Sequence, residues 1–374
     1  MALKILHTAD LHIGMKFERY GKKARELRRA RLEAIDRLLE IASGENCDIL
    51  VITGDLFDRV SVKKATVREV VQKLEKFSGR AVLVLPGNHD YTGEKSGLWS
   101  TFKAEAGEST LVLDRGEEIE LDEQDLEGVN VYPAPCPDRS SRENRLDLIR
   151  DKSESMSDEG INLGIAHGAL EGEAPEDNDY YHMKKDELRA ITGIDIWLLG
   201  HIHQRYPAGE EVTGVSIFMP GTPEPDGLDC SHEGFAWLIE IDEDRNISGR
   251  ALKTGSYRFE DMERTVESRQ EIESLLHEFS DRDNLLLRLN LSGTLPEEVY
   301  REYVQGEENR IYEELKDEVF YLELENELRP RITEKLIEQE FQQNSIPHLL
   351  LSRLKDEDEL TLQMAYDLIR EAQK

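Results

Sequence analysis

Five apolar runs in this chain each stop at an Asp, Asn or His, and that repetition limits what the chain can fold into. Residues 4–9 lead into Asp10-Leu11-His12, and residues 49–53 into Gly54-Asp55. Residues 81–86 lead into Gly87-Asn88-His89-Asp90, residues 161–166 into His167, and residues 194–199 into Gly200-His201-Ile202-His203. Short runs of this kind, apolar nearly throughout, read as strands covered on both faces. Helical patterns lie between them, at 24–42 and 65–77. The expected class is therefore α/β, with ligands gathered at the carboxyl ends of the strands.

The residue types at those ends suit a pair of divalent cations. Two like charges a few Å apart need an anion in contact with both, because the shared charge offsets their repulsion. Asp55 is the candidate bridge. Asp10, His12 and His203 would complete one position, and Asn88, His167 and His201 the other. Carboxylate, amide and imidazole without thiolate favour Mn²⁺ or Fe²⁺, with Zn²⁺ as a further choice. A water shared by the cations would attack phosphorus, so the expected reaction is hydrolysis of a phosphate ester. His89 directly follows a ligand and is expected to serve as proton donor to the leaving oxygen, or to hold the phosphate. Asp58 is the candidate carboxylate that orients it. His7, inside the first run, reads as a packed histidine, and Asp90 fits loop support and catalysis equally.

Bulk composition narrows the rest. A net charge of −32 argues against a protein that coats nucleic acid over its whole surface. Residues 16–31 run against that background, with eight basic residues, two acidic ones, and Phe17 and Tyr20 between them. Lys16, Arg19, Lys22 and Lys23 follow the first ligand loop closely, and Arg59 follows the second. They are candidates for contact with a phosphate backbone, whereas most of residues 25–31 read as a solvated helix face. No stretch of 18 apolar residues exists, so no membrane span is expected. Cys47, Cys136 and Cys230 form no disulfide framework or zinc spacing, which points to a reducing cytoplasm.

The pattern changes near residue 258. Strands at 215–219, 235–241 and 248–253 close the first region. Beyond it the expectation is a helix at 266–279, a strand at 284–291, a helix at 296–316 and a strand at 319–324. Helices at 332–342 and 357–372 would end the chain. This last region carries 30 acidic and 14 basic residues. The expected division is 1–258, 259–330 and a helical tail at 331–374. Residues 136–160 and 171–182 are expected to be exposed loops, the first with a helical piece at 142–152.

Asp10-x-His12, Gly54-Asp55-x-x-Asp58-Arg59, Gly87-Asn88-His89-Asp90, His167 and Gly200-His201-x-His203 together resemble the motif set of calcineurin-like metallophosphoesterases. The resemblance covers about residues 1–255 and implies a β-sandwich flanked by helices. The flanking words Leu6-His7-Thr8-Ala9, Asp55-Leu56-Phe57-Asp58 and Pro220-Gly221-Thr222-Pro223-Glu224 resemble the SbcD and YhaO type of DNA repair nuclease. That resemblance implies a Mn²⁺-dependent 3′–5′ exonuclease and single-strand endonuclease acting in double-strand-break repair. It also implies an SbcC-type, SMC-like ATPase partner held by the C-terminal tail. A homodimer would form through helices near 62–78 and 97–106. Some archaeal and eukaryotic relatives carry histidine where Asp58 stands; this chain resembles the bacterial pattern there, and also the Asp–His pair of the phosphatases. A phosphomonoesterase or cyclic-nucleotide phosphodiesterase is therefore the alternative.

Overall fold

The computed structural model describes residues 2–93, 97–173, 180–230, 232–305, 309–356 and 359–372. The expected loop at 171–182 thus lies partly outside the described residues. The chain divides into two compact units, Met1–Phe259 and Glu260–Lys374.

The first unit is a two-sheet sandwich with helices outside it. In chain order its elements begin with β1 (Leu3–Thr8), α1 (Ala24–Glu45), β2 (Ile49–Thr53), α2 (Lys64–Leu74), β3 (Ala81–Leu85) and α3 (Leu98–Glu105). There follow β4 (Thr110–Val112), β5 (Ile119–Glu120), β6 (Val129–Ala134), α4 (Asp147–Arg150), β7 (Ile161–His167), α5 (Lys185–Ala190) and β8 (Ile196–Gly200). The last are β9 (Glu211–Thr213), β10 (Ile217–Phe218), β11 (Phe235–Ile241) and β12 (Ile247–Lys253). One sheet runs β4-β3-β2-β1-β11-β12-β9 and the other β10-β8-β7-β6-β5. β1 to β4 are parallel, as are β6, β7, β8 and β10, whereas β11 lies antiparallel to β1.

The continuous apolar character of the strands has a direct cause. Ile5, Val51 and Leu83 of the first sheet meet Val131, Leu163 and Leu198 of the second between the sheets. Leu6, Leu50, Ile52 and Val84 face the other way and pack on α1, α2 and α3. Trp197, Leu199 and Ala166 are covered by residues of α4 and α5. With both faces dry, the polar ligand residues fit only past the strand ends, where the chain turns.

The second unit holds β13 (Arg258–Thr265, which starts at the boundary), α6 (Arg269–Glu278) and β14 (Arg282–Ser292). Next come β15 (Thr294–Leu295), α7 (Glu297–Tyr303), α8 (Arg310–Leu315), β16 (Val319–Asn326) and β17 (Arg329–Pro330). Helices α9 (Glu334–Glu340), α10 (Ile346–Leu354) and α11 (Glu359–Ala372) follow. The sheet is β13-β14-β16, with β14 and β16 parallel. α6 starts at a capping box, Ser268 with Glu271. The single helix expected at 296–316 is two helices, because Asn309 caps a new start through the Tyr312 N–H. Ser345 likewise caps α10, which carries Pro347 in its first turn. Among the described residues no helix is long and apolar enough to cross a membrane. All three cysteines are unpaired and buried.

Candidate metal centre

The five strand ends converge. Backbone bonds tie the first two ligand loops together: Asp10 N–H to Gly54 O at 3.1 Å, and His12 N–H to Asp55 O at 2.9 Å. The His201 N–H donates to Asp10 Oδ2 at 3.1 Å, and the His89 N–H to Asp55 Oδ1 at 2.8 Å. Asp10, His12, Asp55 and His201 all have positive φ, at 55°, 45°, 52° and 107°. Such conformations cost a non-glycine residue free energy and persist where surrounding contacts fix them. Gly54 has φ +96°, and a Cβ there would lie 2.0 Å from His167 Nδ1. A Cβ at Gly87 would lie 2.2 Å from Asp55 Oδ1. Both glycines are needed so that main chain can approach the ligand side chains.

The side chains form two adjacent groups. Donor atoms of Asp10, His12 and His203 lie within 4.8 Å of one another, as do those of Asp55, His167 and His201. Asp55 reaches both sides: its Oδ2 is 3.8 Å from His12 Nε2 and 3.4 Å from His167 Nε2. Asn88 Oδ1 is 3.0 Å from both His167 Nε2 and His201 Nδ1. His89 joins His12 and Asp55 in a further group, with its ring edge-on to His12 at 4.7 Å between centroids.

Two observations show that this donor set fits cations. The Nε2 atoms of His12 and His203 face each other at 3.2 Å. Asp10 Oδ1 is buried without a hydrogen-bond partner. An orphaned buried carboxylate oxygen is costly unless a positive charge joins it, and two imidazole nitrogens turned toward each other beside it offer that charge further donors.

The electrostatics follow from burial and crowding. Burial raises the Asp10 carboxyl to about 6. Burial pushes Asp55 the same way, but the neighbouring histidines, His167 foremost, hold it below the usual carboxylate range. Burial disfavours charge on His167, yet Asp55 beside it raises it to about 9. His201, buried and next to His167, falls to about 3.

The structure separates the remaining sequence candidates. His89 Nδ1 is 3.0 Å from the main-chain carbonyl of Asp58, and a carbonyl only accepts, so Nδ1 carries the proton. The Asp58 carboxylate is taken by Arg59. Orientation of His89 therefore comes from the backbone of Asp58 and not, as the sequence suggested, from its carboxylate. Asp90 staples the loop, accepting from Gly87 N–H at 2.7 Å and Phe57 N–H at 3.0 Å. His7 is buried against Thr53 Oγ1 at 2.9 Å. Lys16, Arg19 and Lys22 are exposed, and Lys23 and Arg59 are half-buried.

Two residues escaped the sequence reading. Asp226 Oδ1 lies 3.3 Å from His203 Nδ1, but it stands well past the end of β10 and not directly after it, so no strand end flags it. Arg31 sits in the basic run and looked solvated, yet it is buried and donates to the carbonyls of Asp10, Leu11 and Glu224. The spacing Leu27-Arg31-Ile35, on the buried face of α1, was the available signal.

Comparison with known proteins adds family context. The family model for calcineurin-like phosphoesterases matches residues 3–205. An uncharacterized metallophosphoesterase, YhaO of Bacillus subtilis, is 24% identical over 247 residues, covering 64% of this chain and 57% of the relative. The DNA double-strand break repair protein Mre11 of Methanopyrus kandleri is 27% identical over 231 residues, covering 60% and 49%. Mre11 of Saccharolobus solfataricus is 23% identical over 257 residues, covering 66% and 62%. The chain thus spans roughly half to three-fifths of the length of these relatives.

Proposed function

The chain belongs to the calcineurin-like phosphoesterase family, and from that premise we propose that it is a two-metal DNA nuclease. Asp10, His12 and His203 hold one cation and Asn88, His167 and His201 the other, with Asp55 shared. The observation that carries this reading is the position of Asp55, whose carboxylate lies within reach of both histidine groups. Mn²⁺ suits the donor set best, with Fe²⁺ or Zn²⁺ as alternatives. When bound, the pair supplies a water acidic enough to attack phosphorus near neutral pH, and positive charge for the phosphate oxygens.

The chain's own groups do the rest. With Nδ1–H held by the Asp58 carbonyl, His89 presents Nε2 to the leaving oxygen and donates its proton there when protonated. Arg59, engaged by Asp58, places positive charge beside the same loop. Lys16, Arg19, Lys22 and Lys23 follow the Asp10–His12 loop and serve the phosphate backbone of a longer substrate.

Support for DNA as the substrate comes from the Mre11 relatives and from this basic segment in an otherwise acidic chain. The reading includes an SbcC-type, SMC-like ATPase. Ile346, Met364 and Leu368 of α10 and α11 are 82%, 57% and 65% exposed, which suits a helical partner. A homodimer through α2 and α3 belongs to the same reading. The net charge of −32 favours a second reading, a phosphomonoesterase or cyclic-nucleotide phosphodiesterase with a small substrate. Labelled duplex and single-stranded DNA, digested with Mn²⁺ beside small phosphomonoesters and cyclic nucleotides, separate the two. Cleavage of DNA at the higher kcat/KM supports the nuclease. Turnover of small esters alone, even with the ATPase present, rejects it.

A further inference from the structure

The imidazoles at the candidate metal centre differ in what stands behind them. His167 Nδ1 donates to a neutral carbonyl, Thr53 O, at 2.8 Å. His12 Nδ1 is buried without a partner. His203 has a carboxylate: Asp226 Oδ1 and Oδ2 both lie 3.3 Å from its Nδ1. A carboxylate only accepts, so Nδ1 carries the proton and the Nε2 lone pair faces His12 and the site. An anion at this place also makes Nε2 more electron-rich and fixes the ring plane.

Asp226 is itself held from behind. Its side chain is 6% exposed and that of Arg31 2%, with Arg31 Nη2 3.5 Å from Asp226 Oδ2. The Cys230 thiol donates to Asp226 Oδ1 at 3.1 Å. The same guanidinium donates to the carbonyls of Asp10 at 3.1 Å, Leu11 at 2.8 Å and Glu224 at 2.7 Å. One buried cation on α1 thus fixes the main chain at Asp10 and Leu11, next to His12, and the carboxylate behind His203. A buried guanidinium so close would repel a bound metal unless an anion offset it, and Asp226 is that anion.

We propose that Asp226, held by Arg31, is a positioning residue for His203, and that the Asp10–His12–His203 cation position depends on a carboxylate that touches neither cation nor substrate. This rests on the metal-centre reading above.

Mn²⁺ titrated into the chelator-stripped full chain by calorimetry tests it. Wild type is expected to bind two ions. Asp226→Asn should weaken one of the two by about 10–100-fold and leave the other unchanged. Asp226→Glu, which keeps the charge, should recover part of the loss, which a merely structural role would not produce. Two ions bound by Asp226→Asn with wild-type affinity would overturn the proposal alone. No binding by wild type would overturn the metal-centre reading and this proposal with it. Should Asp226→Asn fail to fold, nitrogen NMR of the zinc-loaded wild type decides: a His203 ring protonated on Nδ1 supports the proposal, and one bare at Nδ1 overturns it.

Discussion

In the first unit the conspicuous groups are polar and buried: Asp10, His12, Asp55, Asn88 and His167 are all nearly inaccessible. In the second they are apolar and exposed: Ile346, Leu349, Leu350, Met364 and Leu368, all on the last two helices. Each departs from the usual rule of burial, in opposite senses. Buried polar groups need a partner within the site, and here the donor set suits cations. Exposed apolar groups are open to a contact outside it, the role proposed above for this surface. The chemistry and the ATPase contact of the proposed nuclease therefore lie in different units and should fail separately.

The largest expected effect breaks the first side of that comparison. Asp55→Ala should abolish binding of both ions and lower cleavage by about 10⁴-fold or more, read by metal analysis beside a nuclease assay. His89→Ala should lower kcat by about 10²–10⁴-fold while two ions stay bound, because it removes a proton donor and no ligand. Loss of metal in that variant would instead make His89 a ligand, as its nearness to His12 and Asp55 allows.

A smaller effect belongs to the second side. Leu368→Asp should weaken capture of the SMC-like ATPase by about 10–100-fold in a pull-down titration, with cleavage of a short single strand unchanged. An equal loss in both assays would show that the two roles are not separate.

Acid sharpens the first side again. Asp55 raises His167 to about 9, so a cation must displace a proton from this pair. Below that value the proton competes, and affinity for Mn²⁺ should fall about tenfold per pH unit for each proton released. Calorimetry in buffers of different ionisation enthalpy measures that release. The smallest effect is expected at the basic segment. Lys22→Ala should weaken DNA binding only modestly and reduce the slope of log affinity against log salt by about 1.

The convergence of the candidate ligands was legible because strand ends in a covered sheet are where polar side chains can gather, so a run such as 49–53 points to Asp55 without help. Asp226 was not, since it lies in an irregular segment and its nearness to His203 appears only in the fold. Arg31 was hidden among seven other basic residues, because a basic run does not show which member turns inward. The Asp58–His89 link was right in its partners and wrong in its atoms, because sequence does not distinguish a carbonyl from a carboxylate of the same residue. In the second unit β13 was missed as a strand because charged residues crowd its sequence, Arg258-Phe259-Glu260-Asp261. Its pairing with β14 supplies what its composition does not.

Anomalous diffraction from crystals grown with Mn²⁺ tests the central claim most directly. Two manganese peaks are expected, one on each side of the Asp55 carboxylate, one beside Asp10, His12 and His203 and the other beside Asn88, His167 and His201. A single peak, or two peaks away from Asp55, would contradict the shared-carboxylate centre on which the hydrolytic reading depends.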